Sequence, residues 1–130
     1  MRLGGRKVGP QARERHDEDR ALAGRLPELL DAAAEAERAL HDAQRRGADV
    51  GELHRLGRAL DGALTEAMRA AYARRRTLMG PRALDDRIYR RRAMARPAVK
   101  EATALAERLL TLRERHRLHG IERLPRSPVS

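Results

Sequence analysis

Apolar residues return every seven positions over much of this chain, and charged residues fill the spaces between them. Leu26, Ala33 and Leu40 form one such series and Leu29, Ala36 and Ala43 another. Farther on, Leu53, Leu60 and Ala67 run beside Leu56, Ala63 and Ala70. Seven residues make about two turns of α-helix, so each pair of series marks an apolar seam along one helix. Leu64 and Met68 widen the second seam. A third seam, spaced by threes and fours, passes through Ala102, Leu105, Leu109, Leu112 and His116.

Punctuation between the seams sets their limits. Pro27 suits a first helical turn, where its missing N–H is not needed, and Glu28 and Asp31 complement the positive end of the helix dipole. The first long helix is therefore expected over 27–46, with Gly47 as its stop. Asp49 followed by Glu52 has capping-box spacing and opens a second helix over 50–78. Gly51, Gly57 and Gly62 each cost that helix roughly 1 kcal/mol against alanine, and Asp61-Gly62 is a turn dipeptide. The apolar phase nevertheless continues across them, which favours one unbroken helix. Gly80-Pro81 ends it and begins a short basic helix over 81–94, with Leu84 and Ile88 on one face. Arg96, held away from helix by Pro97, separates this from a third long helix over 97–119, closed by Gly120 with Ile121 packing back.

The expected fold is all-α: an antiparallel up-down-up bundle of three long heptad-patterned helices, a short basic helix between the second and third, and flexible termini. Residues 1–25 read as a basic and mixed-charge arm, 26–119 as the bundle domain and 120–130 as a tail. Within the arm, the charged residues 11–23 suit a solvated helix and a disordered segment equally.

Composition makes the core thin. The chain is 41% hydrophobic, but much of that is alanine, and Tyr72 and Tyr89 are its only aromatic residues. A buried leucine contributes roughly 1.5–3 kcal/mol and alanine much less, so such a bundle gains from self-association or a partner. The absence of cysteine removes disulfides, thiolate metal sites and thiol nucleophiles, and suits a reducing compartment. No apolar signal segment lies near Met1, and no run reaches the ~20 residues of a membrane span. A cytoplasmic location without a membrane partner is the expectation.

Charge is the strongest signal. The formal net charge is +10, and Arg74, Arg75, Arg76, Arg82, Arg87, Arg90, Arg91, Arg92, Arg96 and Lys100, opposed by Asp85 and Asp86, carry +8 of it within residues 74–100. A GC-rich genome would explain arginine in place of lysine, but neither the excess of cations nor its concentration. Guanidinium groups stay charged and contact phosphate in bidentate fashion, so this stretch is expected to hold a polyanion, foremost a nucleic-acid backbone. The scarcity of aromatics disfavours base stacking, and no DNA- or RNA-reading motif supports sequence specificity. The competing reading is a structural or adaptor subunit of a larger assembly, likewise prone to homo-oligomerise, whose arginines meet an acidic protein surface.

Other chemistry finds little material. The only serines are Ser127 and Ser130, and no carboxylate pair has an evident apolar pocket, so no enzyme is expected. Of His41, His54, His116 and His119, the seam phase turns only the last two inward. That spacing is common by chance, so neither a metal site nor a cofactor is expected. The heptads and the arginine cluster are generic features and name no family.

Overall fold

The computed structural model describes residues 8–119, and these are all-helical. Five α-helices follow one another: α1 (Pro10–Ala23), α2 (Leu26–Arg45), α3 (Val50–Met79), α4 (Arg87–Ala93) and α5 (Pro97–His119). A 3₁₀ turn at Pro81–Leu84 stands between α3 and α4.

Local chemistry explains most of the boundaries. Pro27 cannot donate a hydrogen bond to the preceding turn, and the chain bends at Gly24 and Arg25, both still near right-handed helical angles. Consequently α1 and α2 are joined by a two-residue turn that keeps near-helical angles. Gly47 adopts φ +70°, and the bonds from Ala48 N–H to Ala43 O at 2.9 Å and from Gly47 N–H to Gln44 O at 3.2 Å form a Schellman stop. Asp49 then caps α3 by accepting the Glu52 N–H at 2.8 Å. Gly57 and Gly62 do not interrupt α3, which runs for 30 residues. Gly80 ends it at φ +93° and ψ 162°, a conformation available to little besides glycine.

Beyond Gly80 the structure departs from the single helix expected over 81–94. Asp85 and Asp86 take extended or intermediate angles, and the Asp86 carboxylate accepts the Tyr89 N–H at 3.0 Å. The capping side chain competes with helix continuation, so the stretch divides into the 3₁₀ turn and α4. Ile88 is 70% exposed, while Ala83, Ala93 and partly Tyr89 face inward.

The long α3 is the element against which α1, α2 and α5 each pack. The tight turn after α2 returns the chain along α2, and α5 runs antiparallel to α3, with His116 and Arg117 meeting Gly57 and Asp61 while Arg96 meets Leu78. Leu26, Leu29, Ala33, Leu40 and Ala43 of α2, Leu53, Leu60, Leu64, Ala67 and Ala70 of α3, and Ala106 and Leu109 of α5 belong to one buried cluster. Ala43, Ala67, Ala70, Ala73 and Ala106 lose all accessible surface, so backbones approach closely at these points. On α5 the inward face is Val99, Ala102, Ala106 and Leu109, a rotation from the expected seam that leaves Leu105 half-buried and Leu112 40% exposed. Ala106 replaces Leu105 because its missing bulk lets α5 lie close on α3.

The part expected as an arm is ordered from Pro10 onward. α3 outruns α2, and α1 covers the excess with Ala12 buried and Leu22 partly buried. The expected basic arm before residue 8 and the tail from Gly120 onward, Ile121 included, lie outside the described residues. No described helix is long and apolar enough to cross a membrane.

Candidate polyanion-binding end

A second, small core organises the basic stretch. Met79, Ala83, Ala93 and Val99 are buried together, with Leu78 and Tyr89 against them, and so tie the end of α3, the 3₁₀ turn, α4 and the start of α5 to one another. All ten cations of the sequence cluster are therefore brought to one end of the molecule.

Folding sorts these cations into four that are engaged, one that is half-buried and five that are exposed. Arg76 donates from Nε and Nη2 to Asp19 of α1 at 2.9 and 3.1 Å, and the Asp19 side chain is only 14% exposed. Arg82 bonds Asp86 at 3.2 Å and lies 4.8 Å from the Tyr89 ring centre. Arg96 approaches the same ring at 5.8 Å, donates to its hydroxyl at 3.3 Å and reaches the Leu78 carbonyl at 3.4 Å. Arg90 donates to the Ala83 carbonyl at 3.4 Å. Each of these four uses one or two of its five donors to hold the end together. Arg75 is half-buried, and its Nε is enclosed with no hydrogen-bond partner among the described residues.

The remaining five behave differently. Arg74, Arg87, Arg91, Arg92 and Lys100 are exposed and make no ion pair or side-chain hydrogen bond among the described residues. At 100° per residue, Arg87, Arg91 and Arg92 occupy one continuous arc of α4, opposite the inward Tyr89 and Ala93. Exposed Ile88 and Met94 lie on that arc too. The surface is thus cationic with two apolar contacts, and the arginine forks on it are available to oxygen acceptors.

The histidines do not gather. His41, His54 and His119 are exposed, and among the described residues no group of three or more potential ligands converges on a metal position. His119 thus departs from its expected inward place, while His116 is half-buried and bonds the Gly57 carbonyl at 2.7 Å. Near it, the Arg117 guanidinium donates to Asp61 at 2.7 and 3.2 Å. That hydrogen bond is the main reason the Asp61 carboxyl is held below the usual carboxylate range.

Sequence reasoning located the cluster but not its division. The acceptors that occupy Arg90 and Arg96 are backbone carbonyls and a tyrosine hydroxyl, which only the folded chain brings within reach. Comparison with family models, curated proteins and solved structures finds no significant match. The chemistry of this end therefore carries the functional reading alone.

Proposed function

We propose that this protein is a non-catalytic helical module that holds a polyanion, foremost a nucleic-acid backbone, at its arginine-rich end. The observation that carries the reading is the set of five cations left without an acceptor among the described residues: Arg74, Arg87, Arg91, Arg92 and Lys100. A solvated structural end would be expected to pair its cations with nearby carboxylates, as Arg76 and Arg82 do. The other five have no such role in the fold. Phosphate contacts carry no base information, so binding is expected without sequence preference. The helices form an up-down-up bundle with heptad seams, the protein works in the cytoplasm, and no catalytic step is involved.

The division of the cations supplies the test. Replacing Arg87, Arg91 and Arg92 together by glutamine is expected to weaken binding to unrelated DNA duplexes alike, measured by fluorescence anisotropy, while the melting temperature stays near that of the parent. Arg76→Gln should do the reverse, lowering stability through the loss of the Asp19 contact. Duplex binding unchanged in the triple variant would refute the assignment.

Self-association belongs to the same proposal. Leu112 and Leu118 of α5 are 40% and 67% exposed, outside the protomer's own core. Light scattering is expected to show an oligomer that dissociates when both become glutamine. An oligomer indifferent to that change would place the interface elsewhere.

A further inference from the structure

About 28 Å along α3 from the Arg76 level, taking 1.5 Å per residue, a cleft of 560 Å³ opens between α2, α3 and α5. Its apolar lining is Leu40 and Leu53, both buried in the main core. Gly57 and Gly62 form part of its α3 wall. Neither glycine is required by packing: a Cβ on Gly62 would meet nothing within 4 Å, and one on Gly57 would reach His116 at an ordinary 3.8 Å. Each glycine nevertheless costs the helix interior roughly 1 kcal/mol against alanine. Neither adds side-chain bulk to the α3 wall of the cleft.

The polar groups around it are unbalanced. Its one carboxylate, Asp61, is engaged by Arg117. His116 Nε2 faces the Gly57 carbonyl, which can only accept, so that nitrogen carries the hydrogen and is also engaged. The side chains of Gln44, His54 and Arg58 have no hydrogen-bond partner among the described residues. The cleft therefore offers a free guanidinium, an amide and an imidazole above an apolar floor. Its size falls in the range of small-ligand sites, roughly 300–1,000 Å³.

We propose that this cleft binds an amphipathic monoanion, an alkyl chain ending in a carboxylate. The chain lies over Leu40 and Leu53 in the space left by Gly57 and Gly62, and the head accepts hydrogen bonds from Arg58 and Gln44. The charge match favours this occupant over a neutral apolar one, because the unsatisfied groups are mainly donors. The site is separate from the arginine-rich end and does not rest on it.

Titration calorimetry with decanoate on the full chain tests the proposal. Saturable one-to-one binding is expected, weakened about tenfold in Arg58→Gln, since a charge-assisted hydrogen bond is lost. Gly62→Leu, which fills the cleft from a position with open space, is expected to abolish binding with an equal or higher melting temperature. The Arg87, Arg91 and Arg92 triple glutamine variant should bind decanoate like the parent. Three results would overturn the proposal: no saturable binding, affinity unchanged in both cleft variants, or affinity lost only in the triple variant.

Discussion

Asp61 illustrates how one residue can tie distant parts of this chain together. Its carboxylate accepts two hydrogen bonds from Arg117, which holds the acid form off to lower pH than an ordinary aspartate would show. A carboxyl whose folded-state pKa is depressed adds stability above its unfolded value and loses it as pH falls through the folded value. Asp61→Asn should therefore be less stable than the parent at neutral pH. The difference should close as the solution is acidified below the usual carboxylate range. Melting temperatures across that acid range provide the check, and a constant gap at all pH values would mean that the contact contributes through packing alone. Arg76 and Asp19 form a comparable link, but sequence gave little sign of it because the partners stand 57 positions apart. Which arginine meets which acid depends on how far α3 extends beyond α2.

At the scale of elements, the alanines decide how closely helices can lie. Ala70 is completely buried on α3. Enlarging it to leucine is expected to cost about 1–3 kcal/mol, because close-packed backbones must separate to admit the added carbons. Urea unfolding should show a lower midpoint, and an unchanged midpoint would mean the contact has slack. The same residues show what was legible beforehand. Pro27, Gly47, Asp49 and Gly80 mark helix limits within a residue or so, since capping and positive φ are local properties. The inward face of α5 was not local, because a pattern of threes and fours fits Leu105 or Ala106 and only the surface of α3 selects between them. α1 was harder still. It buries Ala12 and little else completely, and its order comes from the overhanging end of α3 that it covers. Likewise Asp86 looked like part of a helix and serves as a cap, which divides the basic stretch in two.

The whole molecule has a polarised layout. One end carries five exposed cations, unpaired among the described residues, above the small core of Met79, Ala83, Ala93 and Val99, and the other carries the glycine-walled cleft. The main core joins them through α3. The position of the arginines was legible in the sequence because charge density survives any fold, but their separation into engaged and available groups was not. On the proposed reading, that separation sets how binding to a nucleic-acid backbone should respond to salt. With four or five phosphate contacts, the logarithm of duplex affinity should fall against the logarithm of salt with a slope of about −4, since each contact on B-DNA releases about 0.9 of a counterion. The most direct test measures binding to two unrelated duplexes of equal length between about 50 and about 200 mM salt, where that slope implies a loss of roughly two orders of magnitude. The same steep line is expected for both sequences. Absence of binding at the lower salt, or a shallow line that differs between the duplexes, would contradict it.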